Sequence, residues 1–406
     1  MRPIVTILSS EMDQTPLIRD FALARMLQSD FDVHLVGFSR SGEIWGPLAG
    51  EKDMDYRPFR VKNALQWWLE FPRILPAIEG DVIYAMKPRN TSLGLGFFAR
   101  KRRHVPLALD IDDWEQGFLC QSIYWEMRLL RSSWFTDPLS PLYTRLLDHR
   151  VHRTEAITVT SSFLQNRYGG EWIPHTRDPR DFRPPAERPV REVARVVFLG
   201  TVRPHKGLVE LLMAWSRLGR KDAQLHIVGT PPESRHLAEL PLPLDGSVHF
   251  DGLVPFAEVP GRLAEADIVV IPQREEPSSR GQLPTKLIES MAMGCATIST
   301  AISDIPLWLK GCGIVVPTDN AAELAVALER LLDDPPLRHR LGDAARRRFL
   351  RFGSTDAVTP RLVELFHHLI ARKPLPLPTL VEQALGDSSD AASQSEVVLA
   401  SQDQGC

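Results

Sequence analysis

Cysteine is scarce in this chain, and what there is has no useful spacing. Cys120, Cys295, Cys312 and Cys406 are scattered through 406 residues without the pairing of a disulfide scaffold, a zinc site or a redox motif. The twelve histidines likewise form no ligand pattern. A dominant charge is also missing: 48 basic against 51 acidic residues leave −3, so no global field draws the chain to nucleic acid and any anion site must be local. No apolar run approaches the roughly 20 residues that cross a bilayer. Only Ile4 to Leu8 separates the opening Met-Arg-Pro from Ser9, Ser10 and Glu11, too short for a signal peptide. The expectation is a chain that spans no membrane and works in a reducing cytoplasm.

What is present is enough apolar material for two cores: 43% hydrophobic residues over a length that exceeds one ordinary domain. Ile4–Leu8, Val33–Phe38, Val82–Ala85, Pro106–Leu109 and Ala156–Thr160 read as apolar strands. Between them lie stretches of helical spacing such as Ile18, Phe21, Ala22, Arg25 and Met26, and such alternation predicts a doubly wound α/β sheet. Residues 1–183 are assigned to this first domain and the proline-rich, charged stretch 184–194 to a linker. A second alternating domain spans 195–353. In it, Asn320 with Glu323 makes a capping box before Leu324, Leu328 and Leu331. Ser354 opens a last helix, 354–373. From 374 to 406 the sequence turns proline-rich and then polar and acidic, which predicts a disordered tail.

Two stretches of the second domain carry the chemistry. In Phe198-Leu-Gly-Thr-Val-Arg-Pro-His-Lys-Gly207, a short strand ends in a turn holding Arg203 and Lys206, before Leu208, Leu211, Leu212 and Trp215 recur at helical spacing. In Gly281-Gln-Leu-Pro-Thr-Lys-Leu-Ile-Glu289, Pro284 suits the first position of a helix running to about Met293, which places Lys286 in the first turn and Glu289 just beyond. The carboxyl ends of parallel strands face the ligand crevice, and helix N-termini there offer unpaired N–H groups, so cations at these junctions suit a diphosphate.

The order of Gly200, Lys206 and Gly207, then Leu225-His-Ile-Val-Gly229, Val248-His-Phe-Asp-Gly252 and Pro284-Thr-Lys-Leu-Ile-Glu-Ser-Met-Ala-Met-Gly294, resembles family-four retaining glycosyltransferases, matched from about 195 to 350. The resemblance implies a GT-B fold, two Rossmann-like domains facing a central cleft, with the last helix crossing back onto the first. It also implies metal-independent transfer of a sugar from a nucleoside diphosphate sugar to a hydroxyl acceptor, with no cofactor beyond that co-substrate. Two departures stand out. Thr201 follows Gly200 where the family commonly has Arg, and Gly281 stands eight positions before Glu289 where it commonly has a second glutamate.

On this resemblance, Lys206 and Arg203 offset charge on the departing diphosphate. Gly200, Thr201, Gly229, Leu253, Gly281, Thr285, Lys286 and Glu289 line the donor site, and Glu289 accepts from the ribose hydroxyls. The plain alternatives are a solvated lysine for Lys206, a surface or interdomain ion pair for Arg203 and a helix-surface Glu–Lys pair for Glu289. In the first domain, Asp110-Ile-Asp-Asp-Trp-Glu115 follows a strand: Asp112 and Asp113 share the candidacy for work near the reacting sugar, and Asp110 for acceptor binding, against a structural ion-pair role or a metal pair. Lys87 and Arg89 could hold the acceptor or simply make a polar turn. His175 and His205 read as loop residues rather than catalysts. Trp67 and Trp68, with the basic run Arg100 to His104, suit either peripheral docking on an anionic membrane or a core aromatic pair beside a solvated helix end. A catalytically silent relative, or a nucleotide-sugar epimerase of the same architecture, is the alternative function.

Overall fold

The computed structural model describes residues 2–120, 140–188, 191–200, 203–229 and 246–386. The chain divides into two compact units, Met1–His175 with Val358–Val381, and Thr176–Ala357 with the residues from Glu382 onward.

The first unit is a seven-stranded, wholly parallel sheet in the order β3-β2-β1-β4-β5-β6-β7. Its strands are β1 Ile4–Ser9, β2 Asp32–Ser39, β3 Asp55–Arg60, β4 Val82–Met86, β5 Leu107–Ile111, β6 Ala156–Val159 and β7 Glu171–Trp172. Helices α1 (Leu17–Leu27), α2 (Ala64–Ala77) and α3 (Leu95–Arg103) follow β1, β3 and β4. Strands covered on both faces need no polar side, which is why β4, Val-Ile-Tyr-Ala-Met, is buried at every position. Val358–Val381 belongs to this unit: Phe366 packs on Phe31 at 6.2 Å and on Tyr84 at 4.9 Å.

The second unit repeats the plan with six parallel strands ordered β10-β9-β8-β11-β12-β13. These are β8 Ala194–Leu199, β9 Ala223–Val228, β10 Val248–Gly252, β11 Ile268–Ile271, β12 Ala296–Thr300 and β13 Ile314–Val316. Leu208, Leu211, Leu212 and Trp215 pack with Leu324, Leu328 and Leu331 in its core. In each unit the strand order reverses beside the first strand, between β1 and β4 and between β8 and β11. Those switch points are where an open parallel sheet accepts a ligand.

Three boundaries differ from the sequence reading. The first unit closes at His175 rather than 183, because Arg177 and Phe182 are held by groups of the second: Arg177 bonds Glu289, and Arg346 donates to the Phe182 carbonyl at 2.7 Å. The stretch from 374 is not wholly without structure. Val381–Gly386 is helical with Val381 and Leu385 buried, and the Thr379 N–H donates to Glu171 Oε2 at 2.9 Å. Residues 387–406 lie outside the described residues. Pro284 is the extended residue before the helix Thr285–Ala292 rather than its first residue. Of the capping box expected at Asn320 and Glu323, the Asn320 half is present, its Oδ1 accepting from the Ala322 and Glu323 N–H groups, and Ser354 Oγ accepts from Ala357 N–H as expected of a cap.

Candidate functional site

At the end of β8 the chain must turn with a backbone that side chains oppose. Gly200 adopts φ +135°, and a β-carbon there would collide with the Lys286 ammonium. Gly229, after β9, has φ +106°; a β-carbon on it would lie 3.1 Å from the Gly200 backbone. The two glycines therefore let the chain after β8, the chain after β9 and the Lys286 ammonium approach one another closely. Lys286 lies in the first turn of Thr285–Ala292, its ammonium 5.4 Å from the centre of the Phe198 ring. Burial pushes this ammonium down to about 8, and Glu289, one turn on, recovers only part of the loss.

That shift has a consequence for anions. A bound diphosphate favours the charged lysine, so binding takes up a proton when the free site is neutral. Affinity should be greatest below pH 8 and weaken by up to about tenfold per pH unit above it, until the pKa of the bound state is passed. Titration calorimetry with pyrophosphate across that range measures it, and Lys286→Arg should flatten the profile. A flat profile in the unaltered protein would remove Lys286 from the site.

Lys206 ends the tight turn Pro204–Lys206, and Gly207 beyond it has φ +69° and presses so closely on the Pro272 carbonyl that no β-carbon fits. The lysine Nζ donates to Gln282 Oε1 at 2.9 Å, and Gln273 Nε2, from the end of β11, meets the same oxygen at 3.1 Å. Gln273 Oε1 is buried with no hydrogen-bond partner among the described residues. The loops after β8 and β11 are thereby tied across the switch point.

Glu289 is not a free acceptor. It is buried, and its Oε1 takes both Nε (3.0 Å) and Nη2 of Arg177, which stacks between Phe182 and Phe256 at 5.5 and 5.2 Å from their ring centres. Arg203 is exposed, at the residue preceding the turn. Leu253 is 67% exposed. Gly281 closes the short helix Pro277–Arg280 with an ordinary φ of −92°, so its lack of a side chain is not demanded by the backbone. Thr285 is the first residue of its helix and half-buried. Thr201 lies outside the described residues.

The first unit gathers two stretches that the sequence left separate. Lys87, in the left-handed region at φ +68°, follows β4 and points its ammonium at Asp112 (2.9 Å), Asp113 (2.6 Å) and Glu115 (3.4 Å). Arg89 bridges Glu115 at 2.9 Å and Glu11 at 2.5 Å. Burial opposes the charge on Lys87, but the three carboxylates outweigh it and hold the ammonium well above the usual lysine range. Burial raises the Asp112 carboxyl, with Lys87 pulling the other way. Lys87, Asp112 and Glu115 are enclosed, whereas Asp113, Arg89 and Glu11 retain 17%, 25% and 21% exposure. Between Asp112 and Asp113, then, Asp113 is the one a ligand can reach.

The reading of Asp110 needs correction. It lies inside β5 rather than after it, fully buried, paired with Arg19 through Nη2–Oδ1 at 2.9 Å and Nε–Oδ2 at 3.1 Å. Thr158 and Tyr84 hydroxyls, at 2.6 and 3.2 Å, complete its shell. A charge on a covered sheet face must be matched internally, which leaves no oxygen for an acceptor. Sequence reasoning missed Glu11, Gln273, Gln282 and Arg177. Gln282 sits within a quoted motif and could have been named; Arg177 lies 112 positions from Glu289, and nothing local announces that pairing. Among the described residues, no group of three or more His, Cys, Asp or Glu is placed to hold a metal ion.

Residues 193–334 match the family described as "Glycosyl transferases group 1". An α-D-kanosaminyltransferase of Streptomyces kanamyceticus is 30% identical over 156 residues, 37% of this chain and 39% of that protein. An MMP α-(1→4)-mannosyltransferase of Mycolicibacterium hassiacum is 32% identical over 178 residues, 42% of this chain and 41% of its own length. The chain thus spans about two fifths of the curated relatives it matches. Among solved structures, sucrose-phosphate synthase of Thermosynechococcus elongatus superposes with a TM-score of 0.69 at 18% identity, covering 92% of this chain and all of that one. HepE of Anabaena, solved with UDP and glucose, gives 0.69 at 16% identity, covering 90% and 100%.

Proposed function

We propose, from the match of residues 193–334 to the group 1 glycosyl transferases and the GT-B fold of the chain, that the protein moves a sugar from a nucleoside diphosphate sugar to a hydroxyl acceptor with retention of anomeric configuration. The observation that carries this is the Lys286 ammonium held directly against Gly200 at the β8–β11 switch point, a cation placed where an open parallel sheet accepts a ligand. The solved complexes of HepE with UDP and with UDP-glucose favour such a donor.

In this mechanism the bond from the anomeric carbon to the diphosphate oxygen breaks as the bond from the acceptor oxygen forms on the same face. The hydroxyl proton passes to the departing phosphate oxygen, so no side-chain base is required. Lys206 and Lys286 offset the charge that grows on the diphosphate, without a metal ion. Asp113, Arg89 and Glu11 supply the accessible polar groups for the acceptor side.

The test is a panel of UDP-, GDP-, ADP- and TDP-sugars scored by thermal shift and by nucleoside diphosphate release in excess chelator. One donor should raise the melting temperature, by about 2.7 kcal/mol of stabilisation at a hundredfold excess over Kd, and be turned over. Binding without turnover across many acceptors would support a silent relative instead. No shift with any nucleotide would end the donor assignment.

A further inference from the structure

The first unit exposes large apolar side chains on one face of α2 and α3. Asn63 caps α2 by accepting from the Gln66 N–H at 3.0 Å, and Trp67 turns inward against Phe38 at 6.0 Å. Trp68 then stands edge-on to Trp67, centres 4.6 Å apart, and is 47% exposed. Leu65 and Leu69, three residues before Trp68 and one after it, are 69% and 62% exposed. Positions three and four apart share a helix face, so these three make one patch. Phe71 carries it across to α3 by an edge contact with Phe98, 5.2 Å between centres, itself 59% exposed.

A core needs none of these four tips, and water does not favour them. Their surroundings are cationic. Lys101 and Arg102 follow Phe98 by three and four positions on α3 and are exposed, as are Arg103 and His104 beyond them. Exposed Lys62 lies just before α2, three positions ahead of Leu65, while Arg73, one turn after Leu69, is paired with Glu70 and adds no net charge. Of the acids nearby, Glu70 is engaged by Arg73 at 2.8 Å and Glu155 by Arg100 at 3.0 Å.

We propose that this face docks on an anionic phospholipid bilayer, with Trp68, Leu65, Leu69 and Phe98 at headgroup depth and the surrounding lysines and arginines on the lipid phosphates. Charge complementarity selects this occupant: an apolar patch ringed by cations matches a surface that is greasy just beneath a layer of negative charge. Indole and phenyl rings are side chains that settle at such an interface. No helix among the described residues is long and apolar enough to cross a membrane, so contact here is lateral.

Flotation of the full chain with phosphatidylcholine vesicles, with and without phosphatidylglycerol, tests it. Binding is expected to the anionic vesicles at low salt, with a blue shift of tryptophan emission, and should be lost on neutral vesicles and at high salt. The double variant Trp68→Ser with Leu69→Ser should bind at least about tenfold more weakly, as should Lys101→Glu with Arg102→Glu. Both pairs are exposed, so unchanged melting curves confirm that folding is intact. Three results would overturn the proposal: no association with anionic vesicles at low salt, equal association of the variants, or a dimer that the Trp68 variant dissolves while no form of the protein floats.

Discussion

Lys206→Ala should reduce the turnover number by about 10²–10³-fold, the usual cost of deleting one preorganised group that meets charge developing in a transition state. The loss should fall on kcat more than on donor affinity, because Lys286 remains to meet the ground-state diphosphate while charge on the leaving group grows only as the glycosidic bond breaks. Stability should change little. Lys206 is half-buried in a turn that Gly207 and Pro204 shape through the backbone. The neighbouring amide provides the comparison. Gln282→Leu leaves the ammonium in place but removes the oxygen that holds it at 2.9 Å, and should cost roughly tenfold, as expected when a reacting group loses its positioning. Steady-state kinetics on both variants decide the matter. Normal turnover in Lys206→Ala would show that the lysine only anchors the loop after β11, and Lys286 alone would then have to answer for the diphosphate.

The apolar strands of both sheets were legible because a parallel strand covered on both faces has little choice but Val, Ile, Leu and Ala. β11, Ile-Val-Val-Ile, is the plainest case, buried throughout. β3 was not legible for the opposite reason. As an edge strand, Asp-Tyr-Arg-Pro-Phe-Arg keeps charge and even proline, which protect an open edge from further pairing and erase the pattern that marks a strand. The same contrast holds for the site. Gly200, Lys206, Gly207 and Lys286 sit in short motifs whose backbone demands are local, and the contact of Gly200 with Lys286 follows from β8 lying beside β11. Lys87 and Asp113 were each visible beside a strand, but their junction depends on β4 and β5 being neighbours, which spacing along the chain does not state. Asp110 was misplaced for a related reason: β5 runs on to Ile111, so an acid that reads as the first loop residue is a strand residue facing Arg19.

Glu289 is where a sequence reading and a structural one diverge most, and Arg177 tests the difference. Replacing Arg177 with methionine keeps the stem between Phe182 and Phe256 but leaves a buried carboxylate without its guanidinium. Breaking a buried pair from one side costs about 3–5 kcal/mol, because the remaining charge keeps its desolvation penalty. For a unit of this size that corresponds to a fall in melting temperature on the order of 10 °C. The double variant Arg177→Met with Glu289→Gln should recover part of the loss, since no carboxylate is then buried without its guanidinium, although Lys286 loses the carboxylate that supported its charge. Nucleotide affinity separates the two roles of the carboxylate. If Glu289 also accepts from a ribose through its second oxygen, the double variant regains stability yet binds nucleoside diphosphate more weakly than the unaltered protein, while its affinity for pyrophosphate, measured well below pH 8 where Lys286 stays charged, is kept. If both affinities are unchanged, the carboxylate serves Arg177 alone, and the ribose must be held by backbone groups near Gly229 or Leu253. Calorimetry on the double variant with the two ligands therefore reads the site assignment apart from the fold, and a single variant Arg177→Met that melts like the parent would show that the pair carries no buried charge to lose.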